Sequence, residues 1–367
     1  MELYKIAASN LKGIGRGKLK KICSRVGSLN GVFEKSTDEL SAHLEVKKDL
    51  VRKMDRKGAL ERAEDQLVFN HKYGIQTLYH EDSNYPKLLK ECPDAPISFF
   101  FKGSINFNQA KAISIVGTRK ASSYGKENVE QIILSLKGKN IIVVSGLAYG
   151  IDTFVHECCL KHQIPTIGVL AHGHHTLYPK SNSSLAQKMT RQGGLLSEFG
   201  IHEPISKWNF PKRNRIIAGL SELTIVIESP SKGGSLITAE MANGYNREVM
   251  AIPGSIFSAN SNGCNELIKN QKAHVMTSPS DLFSIMDWDE KHFEKDLNYD
   301  LKPEEKVLVM LLKKKNGSTF DQLAEGTKFS VAHLHSLILN LELHEIIHAL
   351  PGSRFRINHR AVEQNMV

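Results

Sequence analysis

The sequence predicts an α/β protein built on a doubly wound, mostly parallel sheet with helices on both faces. Three observations lead there. From Ile113 onward, short apolar runs alternate with segments of helical periodicity, the pattern of successive βα units. One run, Leu223 to Ile227, lies between Glu222 and Glu228 and has the length of a buried strand. Glycine-rich clusters follow the strands, at the carboxyl ends where ligands of such sheets sit. They are Gly117-Thr118-Arg119, Ser145-Gly146 through Gly150 and Asp152, Gly173 with Tyr178-Pro179, and Gly233-Gly234-Ser235.

With 367 residues the chain exceeds one average domain. Residues 1–75 read as a basic helical module, 76–285 as the α/β core, 286–300 as a charged linker and 301–367 as a small terminal unit. The net charge of +9 favours an acidic partner, nucleic acid before anionic membrane. The first residues lack the apolar core of a signal peptide, and no apolar run approaches the roughly 18 residues of a membrane span. A soluble cytoplasmic protein without membrane attachment is expected. Five cysteines without a C-x-x-C pair read as reduced, mostly buried thiols.

In chain order, the helical module contains Gly13-Ile14-Gly15, a turn that brings backbone N–H groups close to an anion because glycine has no Cβ. It resembles the hairpin of helix-hairpin-helix DNA-binding modules. The run Lys47 to Lys57 reads as a solvated helix face. Residues 74–108 form a proline-set connector whose Phe99-Phe100-Phe101 is a core strand. Strands then follow at Ile113–Val116, Ile141–Val144, Thr166–Leu170, Leu195–Ser197, Thr224–Ile227 and Glu248–Ile252, with helices between them. The terminal unit, three helices and a hairpin across Pro351-Gly352, resembles a winged helix. Its third helix has no Lys or Arg after Lys328, which favours a protein or intramolecular contact over major-groove reading.

The chemistry concentrates around Lys207 to Arg215. Lys207, Trp208, Phe210, Lys212, Arg213 and Arg215 set cations beside rings, as a polyanion with stacking faces requires. Arg119, where a strand meets a helix, offers a fork for phosphate. Ser145 and Gly146 let the backbone approach a ligand, and Asp152 is placed to cap the next helix or to fix a cation, the cap being preferred. Gly234 and Ser235 open a helix whose free N–H groups make a second anion contact. No G-x-x-x-x-G-K-[ST] occurs, which argues against a nucleotide-driven motor. No G-x-G-x-x-G follows the first strand of the alternating series, so no dinucleotide cofactor is expected. His172, His174 and His175 cluster, but without a carboxylate or cysteine at matching spacing no metal is expected.

Seven blocks in register resemble the DNA processing protein A (DprA or Smf) family. They are Ser114–Arg119 with Tyr124-Gly125, Ser145–Asp152, Gly173–Asn182, Leu195–Glu198, Phe210–Ser221, Ser235–Ala239, and Pro253-Gly254 followed by Gly263–Ile268. The resemblance implies an extended Rossmann-like core that binds single-stranded DNA, protects it and loads the RecA recombinase in natural transformation. It also implies a homodimer that performs no catalysis and needs no cofactor. It places the DNA pocket on Arg119, Lys207 and Phe210. Together with the residues above, the expected DNA-binding set is Gly117, Thr118, Arg119, Ser145, Gly146, Lys207, Phe210, Arg213, Arg215, Gly234 and Ser235. One departure is Gly173-His174-His175, where the family commonly carries an acidic residue. The rival reading is a nucleotide phosphoribohydrolase on a similar sheet, which requires Arg119 and Glu240 in one closed pocket.

Overall fold

The structure, a computed structural model, describes residues 1–288, 301–314, 317–344, 346–350 and 353–357. They fall into two compact units, Met1–Trp288 and Asp289–Val367.

The first unit begins with six helices: α1 (Glu2–Ser9), α2 (Arg16–Val26), α3 (Gly31–Glu34), α4 (Thr37–Leu44), α5 (Lys48–Arg52) and α6 (Arg56–Tyr73). Their core, with Ile6, Leu19, Val32 and Leu40, extends onto Ile75, Ile97 and Phe100 at the edge of the sheet. The helical segment and the sheet therefore share buried surface.

The sheet elements follow as β1 (Gln76–Tyr79), α7 (Lys87–Glu91), β2 (Ser98–Gly103), β3 (Lys111–Val116), α8 (Ser123–Ser135), β4 (Ile141–Ser145) and α9 (Ile151–Lys161). Next come β5 (Thr166–Val169), α10 (Ser183–Gln192), β6 (Gly194–Ser197), α11 (Asn209–Gly219), β7 (Leu223–Val226) and α12 (Gly234–Gly244). The last are β8 (Glu248–Ala251), α13 (Asn262–Lys269), β9 (His274–Val275) and α14 (Pro279–Ile285). All strands join one sheet in the order β1-β2-β6-β5-β4-β3-β7-β8-β9. From β6 to β9 every pair is parallel. The connector contributes β1 and β2 as an antiparallel extension.

The apolar runs become strands because both faces are covered. Ile113 and Ile115 of β3 point to the α8, α9 and α14 side, packing near Val129, Ile133, Val155 and Phe283. Val116 of the same strand points to the other side, which holds Ile217 of α11, Ala239 of α12 and Leu267 of α13. Burying each such Ile or Val side chain contributes roughly 1.5–3 kcal/mol. The chain leaves β3 toward β4 on one side, whereas β7 pairs on the other, so the connections diverge between β3 and β7. A crevice opens there at the carboxyl ends. The expected linker begins at residue 286, yet Trp288 is buried in this core, with the Lys111 ammonium 4.6 Å from its ring centroid. Residues 286–288 thus belong to the sheet unit; 289–300 lie outside the described residues.

The second unit holds α15 (Pro303–Lys314), β10 (Ser318–Thr319), α16 (Phe320–Thr327), α17 (Val331–Leu343), β11 (Ile347–Leu350) and β12 (Arg354–Ile357). Its strands pair antiparallel in the order β10-β12-β11 around Leu308, Leu323, Leu334, Ile338 and Phe355. The expected three helices and two final strands are present, β10 is an addition, and Pro351-Gly352 lies outside the described residues.

One buried group makes stability sensitive to acid. His156 of α9 has no exposed surface; its Nδ1 lies 2.7 Å from Thr166 Oγ1, whose own proton goes to the Val143 carbonyl at 2.9 Å. Nδ1 therefore carries the proton, and Nε2 has no partner among the described residues. Burial, helped by the Arg213 charge, lowers the pKa from 6.5 to about 3. Below pH 6.5 the unfolded chain takes up a proton that the native state refuses, so stability falls with pH by up to about 1.4 kcal/mol per unit. Chemical denaturation at a series of pH values is expected to show this slope between pH 6.5 and about 4, and His156→Gln is expected to flatten it by that amount. An unchanged slope in the variant would assign the acid sensitivity to other groups.

Candidate nucleic-acid interface

The loops after β3, β4, β5, β6 and β7 converge on a cleft of about 670 Å³. Gly117, Thr118 and Arg119 enter from β3, Ala148 and Asp152 from β4, and Tyr178 from β5. Lys207, Phe210 and Arg213 come from the segment after β6, and Gly233, Gly234 and Ser235 follow β7. The β3 turn is pinned on both sides: Thr118 N–H donates to the Glu228 carbonyl at 2.8 Å, and the Thr118 carbonyl accepts from Ile151 N–H at 3.1 Å. Held so, Arg119 stays exposed with its guanidinium carbon 5.5 Å from the Phe210 ring centroid. Phe210 meets Tyr178 edge to face at 5.8 Å, and Tyr178 meets Tyr149 at 6.4 Å. Lys207, also exposed, holds its ammonium 5.1 Å from the ring of Trp208, itself 73% exposed. The start of α12 lines the same cleft, and its first turn has no side-chain cap. Cations, rings and free backbone N–H groups thus occupy one mouth, the set that grips a strand's phosphates and stacks its bases.

Of the expected set, Gly117, Thr118, Arg119, Lys207, Phe210, Arg213, Gly234 and Ser235 line this cleft; Ser145, Gly146 and Arg215 do not. Ser145 is buried and donates to the Ile115 carbonyl at 2.7 Å. Gly146 faces inward, where a Cβ would lie 2.6 Å from both Arg213 Nη2 and Asp152 Oδ2. Arg215 is buried in an ion pair with Glu198 and donates to the Asp94 carbonyl, tying α11 to the segments beside β2 and β6. Arg213 reaches the cleft floor but is only 4% exposed, its Nη1 donating to the Gly146 carbonyl at 2.6 Å and to that of Val169. Burial, opposed by the Asp152 charge, lowers its pKa to about 10, so it remains cationic at neutral pH. Asp152 does not cap α9, whose cap position is Gly150. Burial raises the Asp152 pKa and the nearby Arg213 charge opposes the rise, so its role is to balance that cation.

The sequence reading missed Tyr178, Tyr149, Ile205 and Ile237 as cleft or ring-stack members. For Tyr178 the signal was its place in a strand-end cluster. The histidine cluster braces its loop: Tyr178 N–H donates to His172 Nε2 at 3.0 Å, and His172 Nδ1 donates to the Gly173 carbonyl at 3.0 Å. His174 Nε2 donates to the Phe100 carbonyl at 3.0 Å, and burial lowers its pKa to about 4. Neutral imidazoles therefore hold this loop. Among the described residues no group of His, Cys, Asp or Glu side chains could hold a metal ion. Glu240 is exposed, 3.5 Å from Lys272, and does not line the cleft, so the closed pocket of the hydrolase reading does not form. The five cysteines are unpaired thiols, four of them buried. No described helix is long and apolar enough to cross a membrane.

The fold and this cleft define a class: a doubly wound α/β protein whose strand ends gather cations and rings around one cleft. The chain belongs to the DNA recombination-mediator protein A family, the DprA/Smf group, whose family model matches residues 76–287. It is 41% identical to the DNA processing protein DprA of Bacillus subtilis over 218 residues, 59% of this chain and 73% of that one. It is 32% identical to the protein Smf of Synechocystis, covering 78% of this chain and 72% of the relative. The solved structure of DNA processing protein A from Streptococcus pneumoniae superposes with a TM-score of 0.65 at 33% identity, covering 77% of this chain and 96% of that chain. That from Helicobacter pylori gives 0.53 at 25%, covering 58% and 96%.

Proposed function

We propose that this protein binds single-stranded DNA in the strand-end cleft and hands it to a RecA-type recombinase, as a non-catalytic cytoplasmic homodimer serving natural transformation or recombination. The observation that carries the DNA reading is the Arg119 guanidinium stacked over Phe210, with Lys207 beside it in the same mouth. Base stacking on an aromatic tolerates any sequence and contributes about 1–3 kcal/mol per base, which favours a single strand over a duplex. The solved relative from Helicobacter pylori has a unique single-stranded DNA binding mode, which supports the same ligand class here. The recombinase and dimer roles rest on family membership. The terminal unit, proposed as a winged helix, serves a protein contact in this reading.

Fluorescence anisotropy with labelled oligo-dT and a matched duplex tests the reading across a salt series. Single-strand preference is expected, with affinity falling as salt rises because bound cations displace counterions. Arg119→Ala and Lys207→Ala are each expected to weaken oligo-dT binding about tenfold or more, as removing a charge-assisted phosphate contact does. Equal duplex binding that survives both substitutions would move the activity away from the cleft.

A further inference from the structure

A second cationic cavity lies in the helical segment at the other end of the sequence, and the cleft reading makes no use of it. It measures about 730 Å³ and opens between α2, the Lys12–Ile14 turn and α4–α5. Lys12, Lys18, Lys21, Arg25 and Lys53 line it, with no Asp or Glu among its lining residues. Ile14, Ile22, Leu44, Val51 and Met54 complete the wall. The charge is local rather than a reflection of the whole chain. Residues 1–73 hold sixteen Lys and Arg against ten Asp and Glu, so a fifth of the sequence carries +6 of the +9.

The cations differ in how far they are already committed. Lys12 is 3.0 Å from Asp55, Lys18 donates to the Gly13 carbonyl at 3.3 Å, and Arg25 donates to the Leu44 carbonyl at 2.9 Å. Lys21 and Lys53 are exposed and have no side-chain partner among the described residues. Lys12 and Arg25 have carboxylates nearby, Asp55 and Glu45, the latter 3.9 Å away, whereas Lys21 and Lys53 add charge to the same opening with no such partner, and an anion with spaced charges relieves the repulsion between them. Beside them the Gly13-Ile14-Gly15 turn leaves its backbone open: a Cβ at Gly13 or Gly15 would meet nothing within 4 Å. The wall is aliphatic and suits sugar and base edges, not stacked rings.

We infer that this cavity is a second nucleic-acid site, which takes the phosphate backbone on Lys21 and Lys53 and is separate from the strand-end cleft. Its ligand class rests on the same DNA-binding reading, but its residues are independent of those in the cleft. Loss of two phosphate contacts lowers the salt dependence of binding by about 1.4 in log–log slope for a single strand, and weakens binding roughly tenfold or more at 0.1 M salt.

The test uses the full chain carrying Arg119→Ala and Lys207→Ala, so that cleft binding is removed first, and a 40-nucleotide oligo-dT beside a 40-base-pair duplex. Residual salt-sensitive binding is expected, and adding Lys21→Glu and Lys53→Glu is expected to abolish it; whichever probe is retained better identifies the strand state. Absence of residual binding, or residual binding that survives the charge reversals, overturns the proposal. A polyglutamate of matched charge that competes as well as DNA overturns it too, in favour of an acidic protein partner. If Arg119→Ala and Lys207→Ala leave binding intact, the cleft reading fails by itself, and Lys21→Glu with Lys53→Glu in the otherwise native chain still decides this one.

Discussion

Gly150→Ala is expected to abolish oligo-dT binding and to destabilise the sheet unit by more than about 3 kcal/mol. Gly150 sits at φ +80° and ψ −124°, a conformation that residues with a Cβ rarely adopt. Its position is also tight: an added Cβ would lie 2.3 Å from the Thr118 carbonyl oxygen and 2.5 Å from the Arg119 carbonyl carbon. Both neighbours are main chain, so neither gives way by a change of rotamer. Relief requires the Gly117–Arg119 turn to move off α9, which breaks the 3.1 Å bond from Ile151 N–H to the Thr118 carbonyl. Arg119 would then leave Phe210. Strain and lost binding therefore share one cause. Urea denaturation followed by circular dichroism, alongside anisotropy, checks both effects. A variant of native stability that binds normally would show that the turn accommodates a methyl group.

The alternation of strands and helices was legible because both sheet faces are covered: Ile113 to Val116 and Leu223 to Ile227 are apolar except for Ser114 and Thr224, whose buried hydroxyls lie 2.8 Å apart and satisfy each other. The antiparallel edge was less so, since Gln76–Tyr79 is a short strand whose pairing with β2 no local pattern announces. In the site, Arg119, Lys207 and Phe210 were legible because Arg119 follows a strand end and Lys207 and Phe210 stand within a short run of cations and rings. Arg215 was misleading for a physical reason, and Arg213, though it reaches the cleft floor, is buried for the same one. Local sequence reports charge but not what lies across the helix, and here that is the carbonyls of Gly146, just after β4, and of Val169 in β5, and the Glu198 carboxylate. A buried arginine and an exposed one look alike in the sequence until the facing strands are in place. The histidines were ambiguous in the same way: their acceptors, the carbonyls of Phe100 and Gly173, are main-chain groups and leave no mark on composition.

Arg213→Met is expected to cost about 3–5 kcal/mol of stability, whereas Lys207→Ala, at an exposed position, is expected to change stability by less than about 0.5 kcal/mol. Methionine fills much of the space but removes donors to the Gly146 and Val169 carbonyls, leaving both without that partner inside the sheet unit. It also removes the cation beside Asp152. Burial already raises the Asp152 pKa, and without the Arg213 charge the rise is larger, so the carboxyl takes up a proton at higher pH in the variant. The stability difference between the two proteins therefore narrows as pH falls through the range where Asp152 becomes neutral, because the uncompensated charge that burdens the variant disappears. That pH dependence separates loss of an electrostatic partner from simple loss of packing, which would leave the difference constant. DNA binding follows the fold in Arg213→Met: it is expected to fail where the unit is partly unfolded and to recover when the temperature is lowered. Lys207→Ala is expected to bind weakly at every temperature. A stable Arg213→Met that fails to bind would instead make Arg213 a direct contact at the cleft floor.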